Sequence, residues 1–444
     1  MPHRRHQFRQ TGEKARDALK MKRRTFLKSA AAAGAATLLP SGVLGLASGC
    51  TKSAPGPAWN FDEVMDRSGT WSIKYRRAEG DKLAMWIADM DFKTDPVVSQ
   101  ALRERLDRDV MGYTYTPDEF YDAVVGWLHT QHDWDVPREW VNPCPGVITS
   151  INEAYLTFTE PGDKVIVQTP VYDHFRLYAE RLGRQVVENP LRWKDDHYEM
   201  DFEGLERLFD ARTKVLVLCN PHNPVGIVWD RETLARLADI CERHGVIVFS
   251  DEIHADLALF GHRQIPFCSA SPAAARVGLI FAGPTKAFNL AGLSGTAWCV
   301  IPDDEKRERY LSTLRNAKLN EMSIPSLVAT IAAYTHEPQW LEALKRYLEG
   351  NIEYLEDSIS KDPDAHVIRV IRPEASFLVW LDCRALGLPQ SELMKLFNDE
   401  AGVVVNNGAS YGTGGEGFIR LNVGCPSSIV EECFRRIAKS IESL

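Results

Sequence analysis

The sequence predicts an α/β fold, with a mostly parallel central sheet carrying helices on both faces and a smaller α+β domain beside it. Three observations lead there. Short apolar runs rich in β-branched residues recur at 164–167, 214–218, 246–249, 278–281 and 296–301. Helical segments separate them; in one, Leu234, Leu237, Ala238 and Cys241 share a face and Gly245 follows as a stop. Strands alternating with helices imply a parallel sheet covered on both sides. Beyond it, a helix-rich stretch over 304–358 leads to strands at 377–381 and 418–422. The last helix should bury Val430, Cys433, Phe434, Ile437 and Ile441.

This pattern divides the chain into an export segment at 1–50, an N-terminal segment at 51–107 joining the small domain, a large domain at 108–340 and a small domain at 341–444. The 444 residues are 44% hydrophobic and 25% charged, a globular composition with ample core. A net charge of −9 offers nucleic acid no electrostatic footing.

The first fifty residues differ from the rest. Lys22-Arg23-Arg24-Thr25-Phe26-Leu27-Lys28 precedes a weakly apolar run over 30–46 that contains Gly34, Pro40 and Gly42. That run falls short of the ~20 apolar residues of a membrane span. A charged start, a brief apolar stretch and small residues before a break describe an export signal, and the paired arginines resemble a twin-arginine signal. Leu46-Ala47-Ser48-Gly49-Cys50 resembles a lipobox with Ala47 where Leu is commonest. Two destinations follow: a chain lipid-anchored at Cys50, or a free exported enzyme in the periplasm or cell envelope. Translation from Met21 would leave that signal whole. The other eight cysteines form no C-x-x-C pair, so neither a zinc motif, a disulfide framework nor any other metal site is expected.

Candidate chemistry gathers at the ends of the predicted strands. Lys286 follows the run 277–281 and opens a small-residue loop, Ala287-Phe288-Asn289-Leu290-Ala291-Gly292. A lysine so placed is either a solvated cap or a nucleophile toward a carbonyl cofactor. Asp251 closes the run 246–249, where open α/β sheets bind ligands, although a helix cap is an equal reading. Asn220-Pro221-His222-Asn223-Pro224-Val225-Gly226 is a turn, because the residue before proline is driven out of the helical region. Pro145-Gly146-Val147-Ile148 opens a helix whose free amides form an anion site.

Taken with Phe61-Asp62-Glu63-Val64-Met65-Asp66-Arg67, Trp86-Ile87-Ala88-Asp89-Met90-Asp91-Phe92, Gly112-Tyr113, Thr169-Pro170-Val171-Tyr172-Asp173, Ser250-Asp251-Glu252-Ile253-His254 and Arg420-Leu421-Asn422-Val423-Gly424-Cys425-Pro426, these segments carry a resemblance. From residue 60 onward the chain resembles the fold-type I pyridoxal-phosphate enzymes of the class I/II aminotransferase superfamily, and within it the MalY/PatB branch of cystathionine β-lyase-like C–S lyases. The resemblance implies pyridoxal 5'-phosphate held as a Schiff base by Lys286, which also shuttles protons. It implies Asp251 on the pyridinium, Asn223 on the ring oxygen and Tyr172 stacked on the ring. Gly146, Val147, Ile148 and Thr285 would contact the phosphate, with Tyr113 reaching it from a second subunit of a homodimer. Arg420 would clamp the carboxylate of a small amino-acid substrate, a task suited to a planar two-pronged donor.

Three positions depart from the pattern: Val225 where Thr or Ser is common, Thr285 where Ser is usual, and Ser294 where aspartate-aminotransferase-like enzymes usually carry arginine. The last favours the lyase branch. The activity implied is α,β-elimination of cystathionine or a cysteine S-conjugate. An aminotransferase with a 2-oxoacid acceptor would use the same residues, and a non-catalytic regulatory protein on this fold is a third reading. His254 is either a packed histidine or one that tunes the site.

Overall fold

The computed structural model describes residues 59–444 apart from 68, 195, 196 and 337. The export segment, the lipobox and Met21 lie outside the described residues. In chain order, the elements that position the site are β1 (Leu83–Ala84), α1 (Pro96–Leu106), α2 (Asp118–His132), β2 (Val141–Cys144), α3 (Val147–Phe158), β3 (Lys164–Val167), α4 (His174–Arg181), β4 (Gln185–Glu188), β5 (Arg192–Lys194), β6 (His197–Glu199) and β7 (Thr213–Cys219). They continue with α5 (Arg231–Arg243), β8 (Ile247–Asp251), β9 (Gly278–Ala282), β10 (Ala297–Val300), α6 (Asp304–Ala317), α7 (Ile324–Tyr334), α8 (Gln339–Lys361), β11 (Arg369–Ile371), β12 (Leu378–Asp382), β13 (Val403–Val404), β14 (Asn406–Asn407), β15 (Phe418–Asn422) and α9 (Ser427–Glu442).

The central sheet has seven strands in the order β2-β10-β9-β8-β7-β3-β4. Pairing is parallel from β9 through β4, and β10 runs antiparallel to both neighbours. The period of two along a strand sorts its side chains between two cores. Leu216 and Leu218 of β7 pack with Leu234 and Leu237 of α5, while Val215 and Val217 face Ile151, Ala154 and Tyr155 of α3. Helices therefore cover both faces, as a parallel sheet requires.

The helices start where local chemistry dictates. The carboxylates of Asp230 and Asp303 accept from the amides of Thr233 and Lys306, and Pro96 occupies the first turn of α1. The expected stripe of α5 is buried, and Gly245 lies beyond the end at φ +66°. In α9, Val430, Cys433, Ile437 and Ile441 are buried as expected, whereas Phe434 is half-buried at the margin of the stripe.

Two strands of the central sheet escape the sequence pattern, and both lie at its edges. β2 contains Pro143, which cannot donate to a ladder and masks strand character. β4 begins and ends in polar residues and is partly exposed.

A second, four-stranded antiparallel sheet has the order β11-β12-β15-β14; its strand β11 packs with α8, which in turn packs with α9. The N-terminal strand β1 pairs in parallel with β13. All eight cysteines among the described residues are buried and free. Among those residues no helix is long and apolar enough to cross a membrane.

Candidate active site

A cavity of about 990 Å³ opens over the C-terminal ends of the central strands. Topology alone assembles it. Gly146 follows β2, Tyr172 follows β3, Asn223 follows β7, Asp251 ends β8, and Thr285 and Lys286 follow β9. Arg420 enters from β15 of the second sheet. Together with Val147 and Ile148, all these sequence-nominated residues line one cavity. Tyr113 does not: it lies outside and is fully exposed in its own chain.

At the α3 end of the cavity, Gly146 caps the helix at φ +140°, a conformation that favours glycine. Ser150 is the first residue whose amide bonds back, to the Gly146 carbonyl at 2.8 Å. The amides of Val147, Ile148 and Thr149 are left at the positive end of the helix dipole, where an anion is favoured.

Asp251 is buried and accepts the Ile253 amide on Oδ1 at 3.0 Å; no described partner occupies Oδ2. Burial pushes its carboxyl up to about 7, against the opposing pull of the Ile253 amide and the Lys286 ammonium. Lys286 Nζ donates to the Ala88 carbonyl at 2.7 Å. Burial and then the Arg420 charge lower its amine to about 8, opposed by Asp89 and Asp251. An amine so depressed sheds its proton near neutral pH, as a nucleophile or base must.

Arg420 is buried, with Nη1 on Asn223 Oδ1 at 3.0 Å and Nη2 on the Trp86 carbonyl at 2.8 Å. Because guanidinium carries donors alone, this bond settles the Asn223 amide orientation, and its NH₂ group faces away from Arg420 as a free donor. Arg420 Nε has no partner among the described residues. Tyr172 stacks on the His174 ring at 4.7 Å and 11°, and its amide donates to the Asn223 carbonyl at 3.1 Å. Ser294 also borders the cavity, its carbonyl accepting from Ser326 Oγ at 2.5 Å.

Residues 86–92 have a larger part than their motif alone indicated. Their successive carbonyls accept from Arg420 at Trp86, Asn422 at Ile87, Lys286 at Ala88, Lys74 and Asn422 at Asp89, and Asn289 at Met90. Asn289 also takes the Met90 amide on Oδ1 and donates to Phe92. Beneath them, the buried Lys74 ammonium meets Asp91 at 2.7 Å, and Arg67 meets the other Asp91 oxygen at 2.8 Å. Backbone acceptors leave no residue-type signal in a sequence, so this role was not readable there. His254 is buried at the cavity wall with Nδ1 unpartnered, and burial lowers its imidazole to about 3, so it is neutral.

The sequence profile of the family "Aminotransferase class I and II" matches residues 81–437. A profile of the twin-arginine translocation signal matches residues 20–40, within the segment read as an export signal. The chain is 41% identical over 388 residues to the cystathionine β-lyase PatB of Bacillus subtilis, covering 86% of this chain and 100% of PatB. It is 35% identical to the protein MalY of Escherichia coli, covering 87% and 100% of the two chains. Among solved structures, cystalysin of Treponema denticola, described as containing pyridoxal 5'-phosphate, superposes with a TM-score of 0.83 at 31% identity, over 87% of this chain and 99% of that one. With the cavity formed at the strand ends and a match across most of its length, this chain belongs to the class I and II aminotransferase family, in the branch of PatB and MalY.

Proposed function

We propose that this chain is a pyridoxal-phosphate-dependent carbon–sulfur β-lyase, acting on cystathionine or a related cysteine S-conjugate. The convergence of Lys286, Asp251, Asn223, Arg420 and the start of α3 on one cavity carries the cofactor chemistry, and the 41% identity to the cystathionine β-lyase PatB supports the lyase outcome. This donor set fits the cofactor: an amine for its aldehyde, the open Oδ2 of Asp251 for a protonated ring nitrogen and the free Asn223 NH₂ for the ring oxygen. The amides of Val147 and Ile148 beside Gly146, with the Thr285 hydroxyl, suit the phosphate. Tyr172, already in a stack with His174, offers its ring to the cofactor face.

When bound, pyridoxal phosphate supplies an electron sink conjugated with the substrate Cα. Lys286 Nζ takes the Cα proton, its lowered basicity keeping part of the population ready as free amine near neutral pH. Asp251 would face the ring nitrogen, whose positive charge would offset the burial that raises its carboxyl, and so would keep that nitrogen protonated. Arg420 orients the substrate carboxylate and is itself aimed by Asn223 and the Trp86 carbonyl. Departure of the thiolate from Cβ gives the net change R–S–CH₂–CH(NH₃⁺)–COO⁻ + H₂O → RSH + pyruvate + NH₄⁺.

The exposure of Tyr113 outside its own cavity supports the reading that it serves the site of a second copy in a homodimer. The division into a large domain at 108–340 and a covering domain of 51–107 with 341–444 is supported by the β1–β13 pairing. The bonds of Asn422 N to the Met85 carbonyl and of Asp91 N to the Gly424 carbonyl support it too. The twin-arginine match supports delivery to the periplasm or cell envelope, where acylation of Cys50 would add a lipid anchor.

The test is the holoenzyme given L-cystathionine with no oxoacid. Pyruvate, ammonia and thiol released together over many turnovers establish the lyase. Turnover that starts only on adding a 2-oxoacid, with a new amino acid accumulating, replaces it with an aminotransferase.

A further inference from the structure

The proposed chemistry uses one carboxylate-binding arginine, yet a second guanidinium stands on the wall of the same cavity. Arg77 lines it and lies over the Trp86 ring, 4.2 Å from the centroid. Trp86 is itself immobilised: its indole N–H donates to the Lys74 carbonyl at 2.7 Å, and its own carbonyl accepts from Arg420 at 2.8 Å. One residue thus ties the two arginines together, Arg420 bonded to its backbone and Arg77 on its ring.

The charges of the surrounding side chains single Arg77 out. Lys82 is neutralised by Asp399 at 2.9 Å, and His174 is paired with Asp173 at 2.8 Å. Among the described residues no acidic side chain pairs with Arg77. Stacking occupies the face of a guanidinium and leaves its edge N–H donors directed outward, the geometry that meets a carboxylate with two parallel bonds. The cavity volume of about 990 Å³ lies at the upper end for ligand sites, which run to ~1,000 Å³, so there is room beyond the cofactor and a short amino acid.

We propose that Arg77, braced on Trp86, forms a subsite for an anionic group at the distal end of the substrate side chain, so that the preferred substrates are cysteine S-conjugates carrying a second carboxylate. The inference rests on the lyase reading and names the substrate class of that site. Arg77 is a specificity-determining residue in this account, remote from the bonds that break.

The experiment compares wild-type holoenzyme with Arg77→Ala and Arg77→Lys on two conjugates of similar length, S-(2-carboxyethyl)-L-cysteine and S-propyl-L-cysteine. In Arg77→Ala the ratio of kcat/KM for the carboxylate conjugate over the propyl conjugate falls about fivefold, the scale of a solvent-exposed ion pair. The fall lies in KM, and Arg77→Lys recovers part of it because it keeps the charge but not the fork. An unchanged ratio overturns the subsite. If the wild type turns over neither conjugate, the lyase reading is decided separately by its turnover of L-cystathionine. The subsite is then read from spectral titration of the holoenzyme with both amino acids, where Arg77→Ala must weaken the carboxylate conjugate selectively, and equal weakening of both overturns it.

Discussion

Arg420 and Asn223 are joined side chain to side chain, Nη1 to Oδ1 at 3.0 Å, across 197 residues of sequence. The bond couples a residue on the second sheet to the loop after β7, and it orients both for different ligands. Arg420 keeps Nε free, while Asn223 is forced to present its NH₂ to the cavity.

Asn223→Asp separates these duties. It preserves an acceptor for Arg420 but removes the donor, and adds a negative charge where an anionic ring oxygen would sit. Cofactor affinity measured by spectral titration should fall by at least about tenfold, the worth of one charge-assisted hydrogen bond. Protein unfolding in urea should change much less.

Lys286→Ala should lose turnover by a factor on the order of 10³ or more, as removal of a general base does. Borohydride treatment of the loaded wild type should fix the cofactor's mass on the peptide containing Lys286, and the variant peptide should stay unmodified.

Stability of the cofactor-free chain should respond to pH in two opposed limbs. Asp251, raised from 3.8 to about 7 by burial, keeps a proton in the folded state that the unfolded chain has lost, so its contribution declines as pH rises through that window. Lys286, lowered from 10.5 to about 8, releases its proton first in the folded state, so its contribution grows as pH rises from about 8. Asp251→Asn should remove the first limb. Relative to wild type, the variant gains stability between pH 4 and pH 7 in urea titrations, although it binds the cofactor more weakly.

Lys74→Met strips the buried ammonium from Asp91 and from the Asp89 carbonyl. Breaking a buried pair on one side costs roughly 3–5 kcal/mol, and the remaining Arg67 contact with Asp91 should hold the loss near the lower figure. Because residues 86–92 accept from Lys286 and Arg420, cofactor affinity should fall along with the urea midpoint.

Tyr113→Ala and Lys286→Ala should each be nearly inactive alone. Mixing the two under subunit-exchange conditions should restore measurable lyase activity, since one site of the hybrid would have both its Lys286 and a Tyr113 from the other copy. Absence of any recovery in a demonstrated hybrid would sink the shared-site reading.

The sequence alone determined the layered α/β architecture, because strands buried on both faces need continuous apolar runs and the intervening helices need a 3.6-residue stripe. Its ordered motifs, through their resemblance to a known family, also nominated Lys286, Asp251, Asn223 and Arg420, which the fold brings to one cavity. The edge strands β2 and β4 were less legible: a strand with one neighbour tolerates Pro143 and polar ends that erase its signature. Tertiary structure alone decided how the site is held. The carbonyls of residues 86–92, the orientation of the Asn223 amide and the stacking of Arg77 on Trp86 depend on which distant segments meet. Backbone acceptors are the same in every residue, so no sequence pattern can announce that one of them will anchor Lys286 or Arg420.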